Sequence, residues 1–203
     1  AEQKGTGHAV ACGLEGLDEL HGEVVVTYGD VPMLTGETLQ RMVEVHRERR
    51  NLVTVLTAEV EDPTGYGRIL RGGEAVVGIV EHKDADEAQR AVREINSGIY
   101  VFDAEALREG VSKLSNDNVQ GEYYLTDVVT MAADGTVEVP GRGCVGAFRI
   151  DDVWQTEGVN DRVQLARMNA EVNRRIVIGW MRAGVTIIDP TSTWIQPDVD
   201  LAN

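Results

Sequence analysis

The stretch Glu23-Val-Val-Val-Thr-Tyr-Gly-Asp-Val-Pro-Met-Leu34 decides the class of fold. Val24, Val25 and Val26 are apolar and β-branched, the pattern of a strand buried on both faces, as in a parallel sheet. Gly29 permits a tight turn, and Pro32 ends the strand because proline cannot donate within a central ladder. Thr35 is placed to cap a following helix, with Glu37 in its positively polarised first turn. Asp30 falls between strand and helix, at the carboxyl end of the strand, where open α/β sheets bind ligands. One carboxylate there suits Mg²⁺, which takes one or two protein oxygens and completes its shell with water and substrate phosphate. A plain βα turn uses Asp as well.

Outward from this stretch the pattern repeats. A polar-faced helix is predicted over 35–49, with Leu39, Met42, Val43 and His46 at helical spacing. His46 stands beside Arg47, Arg49 and Arg50, and a solvated helix end accounts for all four. The run at 52–58 predicts a second strand, so strand-helix-strand implies a right-handed parallel crossover. Strands at 68–71 and 75–81 are joined by Gly72-Gly73, a hairpin signal, and Glu81 pairs with Lys83 or accepts from sugar hydroxyls. A strand runs from Ile95 to Phe102, where Asn96 offers a donor and an acceptor suited to an acetamide. Asp103 caps a helix at 104–114, Gly121–Asp127 opens another, and strands return over 136–150. Toward the amino terminus, Gly5-Thr-Gly7 precedes an Ala/Leu-rich helical pattern through Leu20, and can present backbone N–H groups to a base or phosphate.

After Asn160, a natural N-cap, a helix over 163–182 carries a stripe of Leu165, Met168, Val172, Ile176 and Trp180. Beyond Gly184, Ile187, Thr193 and Val199 fall six apart, as do Ile195 and Leu201, the spacing of a hexapeptide β-helix. The expected division is therefore a domain over 1–160, a linker helix over 161–183 and the first part of a β-helix over 184–203.

The chain of 203 residues is long enough to bury a sizeable core, and 42% hydrophobic with 26% charged residues describes an ordinary globular protein. A net charge of −15 argues against a nucleic-acid backbone or an anionic membrane as partner. Lysine occurs only at positions 4, 83 and 113. Cys12 and Cys144 match neither a metal spacing nor a disulfide framework, so reduced thiols and a cytoplasmic location are expected. No signal peptide or membrane-spanning run is visible.

The motifs Gly5-Thr-Gly-His8, Tyr28-Gly-Asp-Val-Pro32, Thr64-Gly-Tyr-Gly-Arg-Ile69, Ile79-Val-Glu81, Asn96-Ser-Gly98, Glu122-Tyr-Tyr-Leu-Thr-Asp127 and Gly158-Val-Asn160 occur in one order over nearly the whole chain. Together they resemble the uridylyltransferase domain of the bacterial bifunctional UDP-N-acetylglucosamine pyrophosphorylase/glucosamine-1-phosphate N-acetyltransferases. The resemblance implies an α/β fold, a Rossmann-like (GT-A-like) nucleotidyltransferase mixed sheet followed by a long helix and the start of a left-handed β-helix. It implies transfer of a uridylyl group from UTP to N-acetylglucosamine 1-phosphate for cell-wall precursor synthesis, in a trimer formed through the β-helix. Asp30 and Asn160 would hold Mg²⁺, Gly5 and Thr6 would recognise uracil, and Tyr28 and Gly29 would line the cleft. Gly67, Glu81 and Asn96 would contact the sugar.

The family's glycine-rich loop with its Arg and Lys is absent, and no cationic cluster accompanies the ligand motifs. Ala1 in place of Met fits a chain that begins partway through a domain, and most of the acetyltransferase β-helix is missing. An inactive fragment is the expectation. A non-catalytic nucleotide-sugar-binding module and a nucleotidyltransferase for another sugar are the alternatives.

Overall fold

The computed structural model describes residues 3–17 and 19–201; Ala1 lies outside them. In chain order the elements are α1 (Thr6–Glu15), β1 (Glu23–Val26), α2 (Gly36–Arg49), β2 (Val53–Glu59), β3 (Gly67–Gly72), β4 (Ala75–Val80), α3 (Glu87–Arg90), β5 (Glu94–Asp103), α4 (Ala104–Ser112), α5 (Leu125–Ala133), β6 (Val145–Ile150), a 3₁₀ turn (Val153–Thr156) and α6 (Arg162–Arg182). They sort into two units, Ala1–Gly29 with Leu34–Thr156, and Asp30–Met33 with Glu157–Asn203.

The first unit is built on a mixed sheet of order β4-β3-β5-β2-β6, with β1 paired to β5. Strand β5 is its axis, buried along nearly its whole length and antiparallel to β1, β2 and β3, while β2 and β6 run parallel. Alternation divides the layers. Val53, Val55, Tyr100 and Phe102 enter one core with Leu107 of α4 and Val128 and Val129 of α5. Thr54 points the other way and meets His46 of α2, ring Nδ1 to hydroxyl 3.0 Å. Thr35 caps α2 by accepting from the Thr38 N–H at 3.1 Å, Asp103 caps α4 through the N–H groups of Glu105 and Ala106, and the β3–β4 hairpin turns at Gly73 with φ 70.

Several expectations are corrected. Strand β1 is not a parallel strand buried on both faces: it pairs antiparallel with β5, and Val25 is 40% exposed. Three consecutive valines fit any ladder, so the run carries no information about its partner. Helix α1 stops at Glu15, because Gly16 takes its C-cap. Only Val145–Ile150 of the stretch 136–150 forms a strand. His46 is not part of a solvated helix end; it is fully buried, because the stripe that carries Met42 inward continues to it.

The Thr54 hydroxyl accepts from Asn51 Nδ2 at 2.9 Å and lies 3.0 Å from His46 Nδ1, which leaves the other ring nitrogen, Nε2, outside this pair. That Nε2 is buried without a partner. Burial pulls the His46 pKa down to about 4, with the Arg142 charge adding to the effect and Glu23 and Asp103 opposing it. An unfolded chain protonates this histidine near the ordinary 6.5, so the folded state loses ground as pH falls from there toward 4 and regains it above. Between pH 7 and pH 5 the loss is about 2 kcal/mol. Urea titrations of wild type and His46→Leu at both pH values check it: the wild type should lose that much more than the variant.

In the second unit α6 is capped by Asp161, whose carboxylate accepts from the Gln164 N–H at 2.8 Å, and not by Asn160. Of the anticipated stripe, Met168 is buried and Leu165 is 45% exposed. No β-strand forms over residues 185–201, so the start of a β-helix is not shown there. The segment is instead tied to α6 by Asn173, which donates to the Thr193 carbonyl at 2.8 Å and accepts from the Ile195 N–H at 2.9 Å. No helix of the described residues is long and apolar enough to cross a membrane.

Candidate ligand-binding site

One edge of β5 is shared between two strands. Strand β1 pairs with residues 100–103 and β3 with 95–96, and on the opposite edge the β2 ladder breaks its register between Val55 and Thr57. Residues 97–99 are therefore left without ladder partners, and side chains take over. Asn96 Oδ1 accepts from the Gly98 N–H at 3.0 Å, Ser97 Oγ accepts from the Ile99 N–H at 3.2 Å, and the Ser97 hydroxyl donates to the Leu56 carbonyl at 2.7 Å. Gly98 adopts φ 78, and a Cβ there would stand 2.0 Å from Tyr28 Cε2. The Tyr28 ring thus lies directly on the glycine.

Gly67 is opposite Asn96 in the ladder, and a Cβ on it would reach 3.2 Å from Ile79 and 3.4 Å from Asn96. Asn96 also donates to the Tyr100 hydroxyl at 2.8 Å, which leaves one amide proton and one lone pair for a ligand. Tyr100 is fully buried, and burial lifts its pKa well above the ordinary phenol value. Tyr100→Phe leaves that amide proton unsatisfied in a buried place, and should cost about 1–3 kcal/mol by chemical denaturation.

Gly5 and Thr6 belong to the same unit. Gly5 has φ 98, and a Cβ on it would stand 2.6 Å from the Tyr123 carbonyl oxygen. Lys4 and Gly7 exchange main-chain hydrogen bonds with Tyr123 at 2.8 Å each, and Thr6 Oγ1 accepts from the Leu125 N–H at 3.2 Å at the start of α5. The next residue, Thr126, donates to Glu81 at 3.1 Å. Glu81 is not paired with Lys83, which reaches Gln120 instead at 2.5 Å. Burial raises the Glu81 pKa, the neighbouring Asp84, Asp127 and Glu122 add to it, and the Thr126 hydroxyl opposes it. A cavity of about 270 Å³ opens here, lined by Glu81, Asp84, Asp117, Tyr124, Thr126 and Asp127. Such a carboxylate, with no ion pair among the described residues, is suited to accepting hydroxyl hydrogen bonds. Gly29 differs from Gly5 and Gly98: its φ is outside the left-handed region and a Cβ would meet nothing within 4 Å.

The second unit brings Asp30 and Asn160 to neighbouring loops. The Val159 N–H donates to the Asp30 carbonyl at 2.9 Å, and a Cβ on Gly158 would stand 3.5 Å from Asp30 Oδ2. The carboxylate thus faces the bare backbone of Gly158, beside Asn160, whose own N–H is held by Gln164 at 2.6 Å. Among the described residues neither the Asp30 carboxylate nor the Asn160 side chain has a protein partner, and both are exposed. Two uncommitted oxygen-bearing groups held together by main chain are a donor set that fits a hard cation. No group of three or more His, Cys, Asp or Glu side chains gathers for a metal among the described residues.

The sequence motifs contain most of the residues that seat these positions, but the motifs do not say which residue seats which. Gly98, Tyr100, Tyr123 and Thr126 fix Tyr28, Asn96, Gly5 and Glu81 respectively. A glycine inside an otherwise buried strand was the available signal for the first.

A mixed sheet flanked by helices, with glycines and polar side chains gathered where β1 and β3 meet β5, makes this an α/β protein with a candidate ligand site at that strand junction. The profile of the family described as Nucleotidyl transferase matches residues 1–155, and the chain belongs to that family. It is 99% identical over 203 residues to "Bifunctional protein GlmU" of Cutibacterium acnes (strain DSM 16379 / KPA171202), covering all of this chain and 49% of that protein. It is 56% identical over 201 residues to the protein of the same name from Paenarthrobacter aurescens (strain TC1), covering 97% and 39%. The chain thus spans half or less of the length of these curated relatives. A crystal structure named as a glucose-1-phosphate thymidylyltransferase of Bacillus anthracis, in complex with sucrose, shares the fold with a TM-score of 0.60 at 16% identity, over 94% of this chain and 66% of that one.

Proposed function

We propose that the intact protein transfers a uridylyl group from UTP to N-acetylglucosamine 1-phosphate. An oxygen of the sugar phosphate attacks the α-phosphorus of UTP, UDP-N-acetylglucosamine forms and pyrophosphate leaves. The observation that supports this reading is the main-chain hydrogen bond from the Val159 N–H to the Asp30 carbonyl, which joins the loops that carry Asp30 and Asn160. Asp30 and Asn160 would hold Mg²⁺, which when bound neutralises phosphate charge and orients the attack.

The chain's own groups do the rest of the binding. The backbone at Gly5 and Thr6 reads the uracil edge, and the glycine at 5 keeps it close against Tyr123. Tyr28 and Gly29 line the cleft, the absent side chain at 29 leaving room for ligand. Gly67 admits the sugar, Glu81 accepts from its hydroxyls, and the remaining donor and acceptor of Asn96 meet the acetamide. The same reading places the protein in the cytoplasm, without nucleic-acid or membrane partners, and as a trimer through a β-helix whose entry is the 184–203 segment.

Pyrophosphate release from UTP, N-acetylglucosamine 1-phosphate and Mg²⁺ by the full-length protein tests the reading. Turnover with a preference over glucose 1-phosphate is the expected result; a preference for glucose 1-phosphate would move the assignment to another sugar. The 203-residue chain alone has few cations near these residues to clamp the phosphates, and should bind UDP-N-acetylglucosamine without turnover.

A further inference from the structure

Arg68 is the largest side chain buried to this degree, at 1% exposure. Among the described residues it has no carboxylate within ion-pair distance, and its Nε has no partner. Burial holds its pKa below that of a free guanidinium, and the Arg90 charge pushes the same way against Asp62. An uncompensated buried cation is costly, and an apolar side chain of similar volume would fill the place at less expense. What the guanidinium supplies is therefore direction.

Its two terminal nitrogens face two different segments. Nη1 donates to the Tyr66 carbonyl, and Nη2 lies 3.2 Å from His82 Nδ1. Arginine cannot accept, so His82 Nδ1 is the acceptor and its proton sits on Nε2. Tyr66 immediately precedes Gly67, and His82 immediately follows Glu81. Across the hairpin Arg68 is itself opposite Val80. The guanidinium therefore bridges the open end of the β3–β4 hairpin, where both of these ligand positions lie, while the far end is closed by the Gly73 turn. A rigid planar fork fixes the spacing of its two acceptors in a way a flexible ammonium does not.

We propose that Arg68 is a positioning residue for the sugar half of the ligand, setting the separation between Gly67 and Glu81 without touching the ligand. This rests on the reading of Gly67 and Glu81 as sugar contacts. The remaining segments around it are fastened locally: the Thr64 N–H to Asp62 at 3.0 Å, and the N–H groups of Asp84 and Ala85 to the Glu81 carbonyl at 3.1 and 3.0 Å. These bonds shape each turn, and the Arg68 fork relates one turn to the other.

Calorimetric titration of the chain with UDP-N-acetylglucosamine and with UDP provides the test, on wild type, Arg68→Met and Arg68→Lys. Arg68→Met should weaken UDP-N-acetylglucosamine on the order of 10- to 100-fold and leave UDP unchanged, with Arg68→Lys recovering only part. In the full-length protein the same variant should raise KM for the sugar phosphate while KM for UTP stays put. Undiminished UDP-N-acetylglucosamine affinity in a folded Arg68→Met chain overturns the proposal. A wild type that binds UDP and UDP-N-acetylglucosamine equally overturns instead the sugar reading beneath it. Should Arg68→Met fail to fold, His82→Leu removes one acceptor and leaves the guanidinium; it must then show the same selective loss, and equal affinity for wild type and variant refutes the bridge.

Discussion

Asp30→Ala in the full-length protein should lower uridylyl transfer on the order of 10³-fold while leaving thermal stability within about 0.5 kcal/mol of wild type. The two halves of this expectation follow from one observation. The Asp30 carboxylate is exposed and uncommitted among the described residues, so the fold draws nothing from it. What the fold uses is the Asp30 carbonyl, which the Val159 N–H holds at 2.9 Å and which alanine retains. A large drop in stability on substitution would make Asp30 a structural turn residue. Near-normal turnover in a stable variant would remove the metal role.

Gly98→Val should be the most damaging single change to the first unit. At φ 78 a β-branched residue is strained by about 1–2 kcal/mol, and the new Cβ would overlap Tyr28 Cε2 at 2.0 Å. Overpacking adds about 1–3 kcal/mol, so a total of about 2–5 kcal/mol and a fall in Tm of about 4–20 °C are expected. Calorimetry checks the size, and a double variant checks the cause. Tyr28→Ala in a Gly98→Ala background should recover the part due to the ring and leave the backbone part in place. Nucleotide-sugar affinity should fall with either glycine variant, because the displaced ring is the one proposed to line the cleft.

The parts of the fold legible in the sequence are those set by local chemistry. Thr35 and Asp103 cap the helices they precede, and Gly73 turns the hairpin, because each needs only neighbours a few residues away. The partner of β1 was not legible, since an apolar β-branched run fits parallel and antiparallel ladders alike. His46 was misread because flanking arginines outweighed its place on the Met42 stripe, and helical phase, not neighbouring charge, decides burial. Asp161 rather than Asn160 caps α6: both residue types cap well, and the choice is made by which side chain reaches the Gln164 N–H. That outcome leaves the Asn160 side chain uncommitted. The pairing of the candidate ligand residues with their seats was not legible for a deeper reason. Tyr28 on Gly98, Glu81 on Thr126 and Gly5 on Tyr123 are long-range contacts, and no periodicity encodes them. The 185–201 segment carries its six-residue spacing without strands, and Asn173 ties it to α6.

The most direct test of the metal assignment is an anomalous scattering measurement on crystals of the chain grown with UDP-N-acetylglucosamine and Mn²⁺ in place of Mg²⁺. A manganese peak adjoining the side-chain oxygens of Asp30 and Asn160, next to the nucleotide phosphates, is the predicted result. A peak seated on Glu81, Asp84 and Asp127, or bound nucleotide sugar with no manganese near Asp30, would contradict it.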